Sequence, residues 1–169
     1  METSAITSPA EALSATELGA WRGLLRVHAS LVKALDAQLE EEHGLPLTSY
    51  EVLMYLADSE HGKMRMHDIA SSVLLSRSGL TRLVDRLERD GYVERVSCED
   101  DARGAFACIT PAGREKLAAA RATHFDGIRR VFLSRFSEAD LEALAGYWER
   151  VLPGVCASCA PSAEARPAA

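Results

Sequence analysis

Large side chains at Leu18, Trp21, Leu25, His28, Val32, Leu35 and Leu39 recur at alternating intervals of three and four. That spacing lays one helical face against a neighbour, and Leu24 and Leu31 widen the face. The predicted helix runs from Thr16 to about His43, where Gly44 supplies a left-handed stop and Pro46 prevents continuation. Thr48-Ser-Tyr-Glu51 has capping-box spacing and opens a short apolar helix to about Asp58. His61-Gly62 predicts a turn, then a short helix over about His67–Val73. Ser76 suits the N-cap of a further helix ending at Asp90-Gly91.

After Gly91 the period falls to two. Tyr92–Val96 alternates, a charged loop spans Ser97–Gly104, and Ala105–Ile109 completes a predicted two-stranded hairpin with a polar tip. Thr110-Pro111 pairs an N-cap with a proline at the first helical position. The helix it opens is expected to reach about Arg135 with Leu117, His124, Ile128, Val131 and Phe132 inward. Ser137-Glu-Ala-Asp140 caps a last helix carrying Leu141, Leu144, Trp148 and Val151. The expected class is mostly α with a small β-hairpin wing: a winged helix-turn-helix plus long dimerisation helices. Residues 1–15 and 153–169 read as disordered tails, too poor in periodic apolar positions to offset ordering entropy. Between them lie a dimerisation helix (16–47), the winged unit (48–109) and two more dimerisation helices (110–152).

Composition narrows the function. The chain has 169 residues, 47% of them hydrophobic and 26% charged, which suits one globular domain. Its longest apolar run is Val52–Ala57, far short of the roughly 18 residues that span a bilayer. The first residues carry Glu2 where a secretory leader would be basic, so a cytoplasmic protein is expected. The net charge is −6, with 3 Lys/Arg against 10 Asp/Glu in residues 1–62 and 8 against 8 in residues 63–104. An acidic total disfavours a nonspecific polyanion binder yet leaves room for a local basic face.

That face falls on the helix after Ser76. Leu80, Leu83, Val84 and Leu87 follow i, i+3, i+4, i+7 and take the core side. Ser76, Arg77, Ser78, Thr81 and Arg82 are left outward at its N-terminal end, with Arg86 and Arg89 further along. A recognition helix in a major groove needs such short hydroxyl and forked guanidinium groups against base edges. Such residues also populate ordinary solvated faces. The hairpin tip, Asp101-Ala-Arg103-Gly104, adds an arginine suited to a narrow, electronegative minor groove. Acids beside it at Glu99, Asp100 and Asp101 would repel phosphate, so Asp101 is expected to fold back onto Arg86.

The stretch LSRSGLTRLVDRLERDGYVERVSCEDDARGAFACITPAGREKL (75–117) closely resembles the MarR family of bacterial transcription regulators. The resemblance rests on its Thr-Arg-Leu-Val-Asp-Arg-Leu helix, Gly-Tyr-Val-Glu-Arg strand, Asp-x-Arg-Gly wing and Thr-Pro-x-Gly helix start, and element order extends it over about residues 16–152. It implies a homodimer whose first and last two helices interlock, holding two winged units on a palindromic operator. It matches Ser76, Arg77, Ser78, Thr81 and Arg82 to major-groove positions, Arg103 to the minor-groove arginine, and Asp101 with Arg86 to a wing-bracing pair. It also implies an effector cleft where the first, second and fifth helices meet, with Trp21, His28, Met54 and His124 as candidate walls. A repressor released by a small aromatic or anionic effector follows from the same likeness. The family's redox-sensing branch carries its cysteine in the first helix, where this chain has none.

The residues themselves also argue for a dimer. Stripes that include Trp21 and Trp148 exceed what a compact winged unit covers, and a twofold partner is the simplest cover. Cys98 and Cys108 fall on opposing wing strands, which keeps a redox-responsive regulator as an alternative. A protein-interaction module built on the same fold is another. Cys156-x-x-Cys159 lacks a second ligand pair and is read as incidental, so no metal or cofactor is expected. No phosphate loop, nucleophile elbow or HExxH motif occurs, and no enzyme is expected.

Overall fold

The computed structural model describes residues 12–73, 75–98 and 101–156, the side chains of 97–98 and 101–104 lying outside that description. Both expected tails therefore fall largely outside it. In chain order the elements are α1 (Ala15–His43), α2 (Leu47–Asp58), β1 (Lys63–Arg65), α3 (Met66–Ser72), α4 (Arg77–Arg89), β2 (Val93–Cys98), β3 (Asp101–Ile109), α5 (Pro111–Val131) and α6 (Glu138–Val151).

Helix ends follow local chemistry, with one exchange of roles. The capping box belongs to α1: the Ser14 side chain accepts from the Glu17 amide while Glu17 accepts from the Ser14 amide. Thr48 and Glu51 make no such box, correcting the expectation. Pro46 sits at the N-cap of α2 without a side-chain cap bond, and the Leu47 amide donates instead to Asp36 Oδ1 of α1 at 2.8 Å. An acceptor from a packed helix has replaced the local cap, leaving Thr48 inside the first turn. At the other end Gly44 takes φ 58° and its amide reaches the Glu40 carbonyl, the left-handed close expected of it.

The sheet has three strands, ordered β1-β3-β2, where the alternation predicts two. Lys63, Met64 and Arg65 pair antiparallel with Cys108, Ala107 and Phe106. Three residues are too few for a period-two pattern to register. His61 (φ 58°) and Gly62 (φ 69°) turn the chain into β1. Helix α5 stops at Val131, and a 3-10 turn over Leu133–Arg135 completes the span read as one helix.

The core belongs to the winged unit. Tyr50, Val52, Leu53 and Leu56 of α2, Ile69 of α3, and Leu80, Leu83, Val84 and Leu87 of α4 pack with Val93, Ala107 and Ile109 of the sheet. Leu39 of α1 and Leu117 and Ala120 of α5 close it from the other side. Helices α1 and α5 run antiparallel: His43 Nε2 meets Thr123 Oγ1 at 2.8 Å, and Arg130 donates to Gln38 Oε1 at 2.8 Å. Beyond this crossing the stripes stand open. Trp21 is 56% exposed and Val151 78%, and α6 buries no residue in the chain.

Candidate nucleic-acid interface

Ser76 caps α4, its hydroxyl accepting from the Gly79 amide at 3.1 Å. With the four apolar positions of α4 buried, Ser76, Arg77, Ser78, Thr81, Arg82 and Arg86 are all exposed. At 100° per residue, Ser78, Arg82, Asp85 and Arg89 point most directly away from the core. Thr81 donates to the Arg77 carbonyl at 2.9 Å. The structure thus gathers Ser76, Arg77, Ser78, Thr81 and Arg82 towards the N-terminal end of α4, with Arg86 in its last turn.

Two flanks of α4 are tied differently. On the flank towards α2, Arg86 donates to Ser49 Oγ at 3.0 Å, and Ser49 is fully buried. On the flank towards the wing, Arg95 of β2 forms the brace. Its Nη1 donates to Glu88 Oε2 at 2.5 Å and its Nη2 to Asp85 Oδ1 at 2.5 Å. Nη2 also reaches the Thr81 carbonyl at 3.3 Å, and the Arg95 amide donates to Glu88 Oε1 at 3.2 Å. Arg86 therefore stands on the opposite flank from the Arg95 tie. The Asp101 and Arg103 side chains lie outside the described residues, so that half of the expected pairing does too. Sequence reading missed Arg95; the signal was the spacing of Thr81, Asp85 and Glu88, one stripe of α4.

Between α4 and the wing lies an open groove of about 680 Å³ lined by Arg65, Met66, His67, Arg77, Leu80, Thr81, Asp85, Arg95 and Ala105. Arg65 lies over the Phe106 ring, 4.9 Å from its centroid.

The four candidate effector residues do not meet within one chain. His124 packs against Tyr50, ring centroids 4.5 Å apart, and Met54 is half-buried on the same α2. Trp21 and His28 are exposed on α1. His28 lies fifteen residues from His43, which touches Thr123; that is roughly 22 Å of helix. Burial lowers the His124 pKa, and among the described residues its Nδ1 has no hydrogen-bond partner. Burial raises Tyr50, opposed by the nearby Arg121.

The register sets the two wing cysteines, which do lie on opposing strands, well apart. Cys108 faces Glu94 and Cys98 faces Asp101; four strand residues, roughly 13 Å, separate the two cysteine positions along β2. They are not cross-strand neighbours. Cys156 is exposed, and Cys159 lies outside the described residues. Among the described residues no group of three His, Cys, Asp or Glu is placed to hold a metal, and no helix is long and apolar enough to cross a membrane.

A capped helix presented by the helix and turn before it, with an antiparallel wing alongside, defines a winged helix-turn-helix protein. Comparison with known proteins agrees. The model of the MarR family matches residues 43–104. The HTH-type transcriptional regulator YkoM of Bacillus subtilis is 31% identical over 112 residues, 64% of this chain and 71% of that protein. Sco3205, a MarR family transcriptional regulator from Streptomyces coelicolor solved in complex with DNA, shares 32% identity at a TM-score of 0.80, covering 88% of this chain and 93% of that one. AbsC, another MarR family regulator from S. coelicolor, shares 33% identity at 0.77, covering 88% and 97%. This chain belongs to the MarR family of transcriptional regulators.

Proposed function

We propose that the protein is a sequence-specific DNA-binding repressor that grips a pseudo-palindromic operator as a homodimer in the cytoplasm. The observation that carries this reading is the exposed cluster of Ser76, Arg77, Ser78, Thr81 and Arg82 at the N-terminal end of α4. A groove-reading helix contacts base edges with that end. Arg103, on the wing, takes the minor groove in this reading. The open faces of α1 and α6 support the homodimer, which would hold two recognition helices roughly 34–36 Å apart, one turn of B-DNA. The acidic N-terminal third then faces away from phosphate.

Release by a small aromatic or anionic effector belongs to the same proposal. Within one chain it rests on Met54 and His124 beside Tyr50, where a bound molecule would bias the spacing of the two winged units.

Selection of bound duplexes from a random pool, followed by titration across a salt series, tests the reading. A palindromic consensus with half-sites one helical turn apart, and affinity falling steeply with salt, is expected. No enrichment, or salt-independent binding, would leave a protein-interaction module instead.

A further inference from the structure

We infer that Arg95 is a positioning residue for DNA binding: it sets the pose of the wing on the recognition helix and masks two carboxylates there. The inference rests on the reading above, in which α4 and the wing engage one duplex together.

One guanidinium reaches three residues of α4, Thr81, Asp85 and Glu88, through two different nitrogens, and the Arg95 amide adds a fourth bond to Glu88. Glu88 holds the strand by both backbone and side chain, so the tie fixes sliding as well as distance. Only a planar fork satisfies two carboxylates from separate nitrogens in this way; a lysine ammonium is a point charge. The tie sits where leverage is greatest. At its base the wing is joined to α4 by the Tyr92 amide on the Leu87 carbonyl, just after Gly91 at φ 78°. Arg95 is the next anchor outward, and three residues beyond it β2 ends. A small rotation at the anchor becomes a larger displacement at the tip that carries Arg103.

Charge gives Arg95 a second role. Asp85 lies on the outward side of α4 with Ser78 and Arg82, its side chain 49% exposed, and Glu88 is 39% exposed. Uncompensated, both would repel a phosphate backbone. Arg86 cannot serve, because it is on the other flank and bonded to Ser49.

The test is a double-mutant cycle on the full chain, with operator affinity read by fluorescence anisotropy. Arg103→Ala alone should weaken binding about tenfold, within the worth of one good contact. Arg95→Ala should weaken it by at least as much and lower the salt slope as Arg103→Ala does, by about one. In the Arg95→Ala background Arg103→Ala should then cost less than about twofold, whereas Arg82→Ala should cost the same factor in either background. Arg95→Lys, which keeps the stem and charge and serves if the alanine variant does not fold, should show the same loss of coupling to Arg103. Wild-type affinity in Arg95→Ala, or full multiplication of its effect with that of Arg103→Ala, overturns the positioning role while the wing reading stands. A neutral Arg103→Ala instead overturns the wing reading and the inference with it.

Discussion

Arg82 is exposed on the outermost ridge of α4, so its replacement bears chiefly on recognition. Arg82→Ala should leave the thermal midpoint unchanged and relax base preference at one position of each half-site by about 1–3 kcal/mol, measured by competition with single-base operator variants. His124 supports a different experiment. Burial lowers its pKa below 6.5, so the folded chain holds a neutral ring where the unfolded chain takes a proton. Stability from this site is present above the unfolded value and drains as pH falls through it towards the folded one. The fall in melting temperature between about pH 7.5 and about 5.5 should be shallower in His124→Gln than in wild type. At this scale the exposed set on α4 was legible, because four leucine-like positions at helical spacing dictate what is left outside. Arg95 was not: Thr81, Asp85 and Glu88 mark a polar stripe on α4, but which strand residue lies against that stripe depends on tertiary packing.

Between elements, close approach matters more than propensity. A Cβ on Gly113 would collide with the Tyr92 carbonyl and approach Ile109 Cγ1 at 2.9 Å. The first turn of α5 is thus pressed onto the start of the wing, where Thr110 Oγ1 also donates to the Gly91 carbonyl at 2.7 Å. Gly113→Ala should therefore destabilise the chain by about 1–3 kcal/mol in urea unfolding, although alanine favours helices. Sequence pattern placed α1, α4, α5 and α6 within a few residues, since caps and stops are written locally. It misassigned the cap of α2 because Asp36 comes from another helix, and it passed over β1 because a three-residue strand exists only through its partner.

At the scale of the molecule the apolar surface is divided unevenly. The winged unit encloses nearly all buried side chains, whereas Trp21, Leu25, Tyr147, Trp148 and Val151 remain exposed. Replacing Trp148 with Asp should convert the sedimenting species to a monomer and abolish operator binding while leaving the circular-dichroism signature of the winged unit largely intact. The order of elements was readable from the chain, and so were the apolar stripes that stay exposed on α1 and α6; the separation of Trp21 from His124 was not, because helix length and crossing point had to be known together. The bareness of α6 has one more consequence. If α6, which buries no residue in its own chain, is covered in the proposed homodimer, its melting becomes a matter of mass action. On dilution, α6 and the outer half of α1 should unravel at a lower temperature than the winged unit, and the two transitions should merge as concentration rises.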